Sequence, residues 1–259
     1  PGKGRGVKLK VRFNRFSWLF VFVFVTVLGL GSPARAEEGV VAISAGISPC
    51  VEEIMRAFVD AGGQSLTLVK EATGPLARQI DQGAPYDLLI AADPEWPEWL
   101  AGRGHSRDAR VCALGMLALW SLGPVKGIGA RDLAPLDLAI PNPEFTSYGK
   151  LAQTYLEELG LWEKGLKEKR ILLCGGAPQC VAAVKAGTAK AALIPLTTAI
   201  RMGGTVLEIR QAGALQTIVL VTDRVSSPNA LAFKTYLFGG KARATWKKWG
   251  FGLPGEGGK

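Results

Sequence analysis

Apolar residues along the chain follow two alternating rhythms. Short continuous apolar runs fall at 40–44, 66–69, 87–91, 136–140, 171–174 and 191–194. Runs of this length predict strands buried on both faces. Between them lie stretches with apolar residues at helical spacing. The clearest is 50–61, where Val51, Ile54, Met55 and Phe58 share one face. Helices are also predicted over 76–82, stopped by Gly83, from 96–100 onward, and over 149–159, 181–185, 228–238 and 242–249. Trp96 and Trp99 suit a ligand platform, but their i, i+3 spacing reads first as a helix face on a core. Two further apolar segments, 112–122 and 217–221, interrupt the alternation.

Strands alternating with helices imply mostly parallel sheets with helices on both faces. The alternation runs, breaks at 112–122 and starts again. The fold class predicted is therefore α/β in two lobes. The first is built from 37–116 and 224–259, the second from 117–223, with crossings near 112–122 and 215–223. No Pro/Gly/Ser-rich linker separates them, which points to a hinged pair. The Gly-rich tail, 252–259, is expected to be loose.

Residues 1–36 break this pattern and read as a cleavable export signal. Lys3, Arg5, Lys8, Lys10, Arg12 and Arg15 precede an apolar run from 18 to 30, and Ala34-Arg35-Ala36 forms the cleavage site. The run is short of the roughly 20 residues of a membrane span. Charge changes accordingly. The segment holds seven Lys/Arg and no Asp/Glu, so without it a net +9 becomes +2. No basic stripe with interleaved aromatics remains, and no nucleic-acid partner is expected. Four cysteines in an exported chain suggest disulfides. Cys174 and Cys180 are near enough in sequence to bridge a loop; Cys50 and Cys112 remain, and three pairings stay open.

Candidate chemistry lies at the strand-to-helix junctions. Ala45-Gly46-Ile47-Ser48-Pro49, Ala72-Thr73-Gly74-Pro75, Asn142-Pro143 through Tyr148-Gly149, and Gly175-Gly176-Ala177-Pro178 carry small or hydroxyl residues beside a helix start. Ser48 is expected as an N-cap with Pro49 as the first helical residue. Each helix start presents unpaired N–H groups and roughly half a positive charge, an anion site without Lys or Arg. In parallel sheets these junctions share the strands' C-terminal edge. Any one of them is explained by helix stability alone. Four, two per half, point to a shared anion site.

The run Leu76-Ala77-Arg78-Gln79-Ile80-Asp81-Gln82-Gly83-Ala84-Pro85-Tyr86-Asp87-Leu88-Leu89-Ile90-Ala91-Ala92-Asp93 resembles the periplasmic molybdate-binding proteins of ABC transporters. So do Asn142-Pro143-Glu144 leading to Tyr148-Gly149, and the ending Lys248-Trp249-Gly250-Phe251. The resemblance implies the type II periplasmic-binding-protein fold of two lobes and two hinge crossings. It implies a periplasmic monomer that captures molybdate or tungstate, uses no cofactor, and delivers the anion to an ABC transporter membrane permease. It further implies that Ser48 binds through hydroxyl and amide, Thr73 through its hydroxyl, and Tyr148 and Ala177 through backbone N–H groups. Where the family carries a ligand-binding tyrosine, this chain has Pro195, which lacks both hydroxyl and N–H; Thr197 or Thr198 is the substitute at hand.

Other readings are weaker. Cys50 and Cys180 lie within a turn of anion-binding helix starts, where a thiol of lowered pKa would suit a thiophilic anion, although a buried thiol or disulfide is the simpler account. A carboxylate ligand would need an arginine clamp, for which Arg78 and Arg110 are the candidates. A sensor domain of the same fold would look identical in sequence. An exported hydrolase would have to use the single histidine, His105, and Gly46-Ile47-Ser48-Pro49-Cys50 lacks the second glycine of a nucleophile elbow. Asp87 and Asp93 could be imagined as a carboxylate pair. No metal-ligand spacing or phosphate loop occurs, and no enzymatic activity is expected.

Overall fold

The structure, a computed structural model, describes residues 39–256 apart from 145, together with Gly2. By packing, the chain divides into Pro1–Glu37 and Glu38–Lys259. The expected signal at 1–36 falls, Gly2 apart, outside the described residues.

The larger unit opens with β1 (Val40–Ser44), a 3₁₀ turn (Ala45–Ile47), α1 (Ser48–Asp60), β2 (Thr67–Glu71), α2 (Thr73–Asp81), β3 (Leu88–Ala91) and α3 (Glu95–Gly102). The long β4 (Ser106–Ser121) leads to α4 (Ala130–Leu133), β5 (Leu138–Pro141), α5 (Ser147–Glu158), α6 (Trp162–Lys167), β6 (Ile171–Cys174), α7 (Ala177–Lys185), β7 (Ala191–Pro195) and α8 (Leu196–Met202). The equally long β8 (Thr205–Thr222) returns to α9 (Pro228–Tyr236), α10 (Gly240–Lys248) and β9 (Phe251–Gly252). The strands run in the order β2-β1-β3-β8-β4-β7-β5-β6, with β9 paired to β4. The outer trios β2-β1-β3 and β7-β5-β6 are parallel, while β8 and β4 are antiparallel to their neighbours.

Four hydrophobic clusters show why this arrangement divides in two. In the first half, α1, α9 and α10 bury Ile54, Phe58, Phe233 and Trp246 on one sheet face, and α2 and α3 bury Leu76, Ile80 and Leu100 on the other. In the second half, α5 and α6 bury Tyr155, Leu156 and Trp162 on one face, and α7 and α8 bury Cys180, Val181, Val184 and Ala199 on the other. Each fully buried Leu, Ile or Phe stabilises the fold by roughly 1.5–3 kcal/mol. An Ile54→Asp change would put a charge at the centre of the α1 face and unfold the first half. Each half is therefore a sheet between two helical layers, and the fold is the two-lobed α/β architecture expected.

β4 and β8 pass from one core to the other. On β4 the core changes between Ala113 and Leu117, and on β8 between Ile209 and Val219. Their register jumps at the same level: Met116 pairs with Ala214 but Leu117 with Ile209, so a loop of β8 bulges out, with Gly213 at φ +78°. Two expectations change here. Val219, Leu220 and Val221 pack in the first half, although 117–223 was assigned to the second. The apolar segments at 112–122 and 217–221 are parts of strands of 16 and 18 residues. Other residues of these strands, such as Arg107, Asp108 and Arg210, are exposed and polar, and backbone pairing rather than burial holds them extended.

Asp87 and Asp93 stand at opposite ends of β3. Asp87 is buried and accepts three backbone N–H groups, from Val40 at 2.8 Å, Ser226 at 2.8 Å and Ser227 at 2.9 Å. It ties β1 to the loop leading into α9, and the two carboxylates do not form a pair.

Candidate functional site

The strand C-termini of both halves open on one cleft of about 800 Å³. Its first wall is the turn Ser44–Ile47, the start of α2, and the loop from β3 into α3. Its second wall is the starts of α5, α7 and α8. Leu215 and Phe251 lie at the crossings between them. Of the five residues singled out by sequence, Thr73, Tyr148, Ala177 and Pro195 line this cleft.

Ser48 does not line it. Its expected N-cap role is taken by Ile47, because an extra 3₁₀ turn intervenes between β1 and α1. Within that turn the Ser48 N–H bonds to the Ala45 carbonyl, and its hydroxyl donates to the same oxygen at 3.0 Å. Both groups expected to hold an anion are thus committed to the chain itself. Ala45, Gly46 and Ile47 form the wall instead. A Cβ added at Gly46 would meet nothing within 4 Å, so the backbone there is bare toward the open space. The sequence signal was Ala45-Gly46, two residues too small to be explained by the core.

Thr73 and Gly74 occupy the first two positions of α2, after Ala72 at the cap. Their N–H groups have no partner within the helix, and Pro75 has no N–H to offer. The first intrahelical bond is Leu76 N–H to Ala72, at 3.3 Å. Gly74 is required: a Cβ there would come within 2.7 Å of the Trp96 ring. Trp96 in turn carries the Arg78 guanidinium at 5.1 Å and meets Trp99 edge-on at 5.6 Å. The tryptophans are therefore a packed helix face, and Trp96 also reaches the cleft. Asp93 lines the cleft on the same wall as Thr73, and burial holds its carboxyl above the usual carboxylate range.

On the second wall, Thr146 caps α5 by accepting the Gly149 N–H at 3.0 Å and donates its own hydroxyl to Asn142 O at 2.9 Å. This leaves Ser147 and Tyr148 with N–H groups free of the helix. Gly149 has to be glycine, since a Cβ would collide with the Pro141 carbonyl. The Tyr148 ring turns away, its hydroxyl against Gly115 of β4, and burial pushes its pKa up. Ala177 opens α7 behind an extended Gly176. Pro195 precedes α8, where Thr197 and Thr198 both line the cleft. The substitutes considered for the missing tyrosine hydroxyl are thus on the wall.

Charge does not make this an anion site. Asp93, Glu95 and Glu144 line it against a single Lys150, and Arg201, stacked on Trp249, lines the smaller pocket that adjoins it at Gly46, Ile47, Thr197 and Thr198. Arg78 and Arg110 are stacked on Trp96 and Phe238, so neither is a carboxylate clamp here. His105 lies outside the cleft, its ring nitrogens 3.1 Å from Asp81 and 3.3 Å from Asp223. The helix starts are what remains to attract an anion.

The cysteines correct two expectations. All four are buried free thiols, with no disulfide among them. Cys50 and Cys180 do not line the cleft, and burial raises both thiol pKa values, outweighing the helix start that was expected to lower them. The Cys174 thiol donates to the Leu172 carbonyl at 3.8 Å.

Residues 40–252 match the family model described as bacterial extracellular solute-binding protein. The chain is 29% identical over 242 residues to the molybdate-binding protein ModA of Azotobacter vinelandii, covering 86% of this chain and 93% of that one. It is 30% identical over 141 residues to ModA of Rhodobacter capsulatus, a match spanning 52% of this chain and 56% of that protein. Among solved structures, the Azotobacter vinelandii periplasmic molybdate-binding protein superposes with a TM-score of 0.68 at 25% identity, over 84% of this chain and all of that one.

Proposed function

The chain belongs to the bacterial extracellular solute-binding protein family, and from that premise we propose that it is the periplasmic component of an ABC transporter that captures molybdate or tungstate. The observation carrying this reading is the convergence of helix starts from both halves on one cleft. The similarity to ModA proteins over most of the chain supports the choice of anion. The donors are backbone N–H groups of the turn Ala45–Ile47, of Thr73 and Gly74, of Tyr148 and of Ala177, with the hydroxyls of Thr73, Thr197 and Thr198. Ser48 acts behind the wall, by holding the 3₁₀ turn.

Neutral donors fixed in rigid helix starts select by size. A ring spaced for long metal–oxygen bonds cannot close on the shorter bonds of sulfate. A cleft of about 800 Å³ far exceeds one tetrahedral oxyanion, so the halves close about the β4 and β8 crossings when the anion binds both walls. The closed monomer then delivers its anion to the membrane permease. The protein uses no cofactor and performs no chemistry on its ligand.

Calorimetry on the purified protein tests this. Molybdate and tungstate should bind at least about 100-fold more tightly than sulfate, a difference of about 2.7 kcal/mol. Equal affinity for sulfate would sink the assignment to molybdate.

A further inference from the structure

The two halves also meet away from the β4 and β8 crossings. Helix α8 belongs to the second half, where it buries Leu196 and Ala199. The turn Trp249-Gly250-Phe251 belongs to the first, where Trp249 and Phe251 pack on the α1 face. These two segments touch. Gly250 stands at φ +82°, and a Cβ there would come within 2.6 Å of Ile200 Cδ1 and 3.3 Å of Leu196 Cγ. Trp249 is fixed from behind: its Nε1–H donates to Glu53 of α1 at 2.9 Å, and Lys248 donates to the same carboxylate at 2.8 Å. In front of it, 5.1 Å from the ring centroid, lies the guanidinium of Arg201. That is inside the distance of about 6 Å at which a ring face attracts a cation. Among the described residues Arg201 pairs with no carboxylate, so the ring is what holds its side chain.

Arg201 follows Thr197 by four residues and Thr198 by three, which puts all three on neighbouring positions of one α8 face. They line a pocket of about 40 Å³ that adjoins the main cleft, and across it stand Gly46 and Ile47 of the first wall. The stack on Trp249 therefore sits beside the hydroxyls assigned to the anion, and it joins the half that carries them to the half that faces them.

We propose that Arg201 is a positioning residue: its stack on Trp249 docks α8 on the first half and holds the Thr197 and Thr198 hydroxyls opposite Gly46 and Ile47 before an anion arrives. This rests on the oxyanion-binding reading above. A hydrogen bond weakens steeply outside a narrow range of distance and angle. Halves that close about two strand crossings leave α8 free to shift against the first wall, and an anion would have to order it from its own binding energy. A tether already in place removes that cost. Arg201 does not touch the ligand in this scheme and acts through the two threonines.

Calorimetry of molybdate binding to the purified full chain tests this. Arg201→Ala should weaken binding by about fivefold, or about 1 kcal/mol, and Arg201→Gln should match it. Arg201→Lys keeps a cation over the ring and should stay within about twofold of wild type. In a chain already carrying Thr197→Ala and Thr198→Ala, adding Arg201→Ala should cost less than about twofold. Unchanged affinity in Arg201→Ala overturns the proposal. So does a loss in the Lys variant equal to that in the Ala variant, or a fivefold loss that survives without the threonines. Fluorine NMR of fluorotryptophan-labelled protein gives a readout that needs no anion. The Trp249 resonance, assigned by its loss in Trp249→Phe, should move in Arg201→Ala, and an unmoved resonance overturns the tether whatever the chain binds. A moved resonance with no oxyanion bound by the wild type leaves the contact standing and overturns the positioning role together with the reading it rests on.

Discussion

The two walls of the cleft use the same device, a helix start beneath the end of a parallel strand, but support it differently. On the first wall Ser48 clasps Ala45 and Trp96 lies so close to Gly74 that no side chain fits, while α2 and α3 start without a side-chain cap. On the second wall α5 has a full cap in Thr146, but α7 begins after Gly175 and Gly176 with no side-chain cap, and α8 begins on a proline. The hydroxyls of Thr197 and Thr198, on the same wall, line the cleft just past Pro195, which stands where the resemblance implies a tyrosine.

Four experiments would break or sharpen this contrast. The largest effect is expected from Gly46→Asp, which points a carboxylate from open backbone into the cleft. It should weaken molybdate binding by more than about 100-fold, roughly 2.7 kcal/mol, with an unchanged melting temperature. Asp87→Ala strips three buried N–H groups of the first half of their acceptor. It should cost about 3 kcal/mol of stability, read by denaturant unfolding, since hydrogen bonds to charged groups contribute roughly 1.5–3 kcal/mol each. The pair Thr73→Val and Thr197→Ala with Thr198→Ala compares the walls directly. Each should weaken binding by about tenfold, or 1.4 kcal/mol. If the second wall adapts, the double change there should cost less than the single change at Thr73. The smallest effect is expected from Ser48→Ala: binding within about twofold of wild type and a stability loss of roughly 0.5–1.5 kcal/mol for one hydrogen bond. A large loss of affinity in this variant would return Ser48 to the wall.

Thiol reactivity gives a further check on the cores. Burial raises the Cys112 pKa to about 12 and pushes Cys50 and Cys180 up as well. Native protein at about pH 8 should therefore resist alkylation, while urea-unfolded protein should react at four sites.

The chain's apolar rhythm by itself determined the α/β class, the break between two halves, and most element positions. Val40–Ser44 and Ile171–Cys174 came out as read, because a strand buried on both faces must be apolar throughout. The helix starts were legible for the same local reason: Thr73, Tyr148 and Ala177 follow small or hydroxyl residues whose preferences are set within a few positions. What needed tertiary structure was whatever distant residues decide. The exposed halves of β4 and β8 are strands only because each pairs with the other across about a hundred residues of sequence, and no periodicity records that. Gly46 rather than Ser48 lines the cleft because one extra 3₁₀ turn rotates which residue meets it. The thiols were driven up in pKa by burial that a helix-start argument does not see. In sequence Asp93 could be imagined only as a partner for Asp87. Its place beside Thr73, with an oxygen left unpaired, exists only after β3 and α2 are brought to the same edge of the sheet.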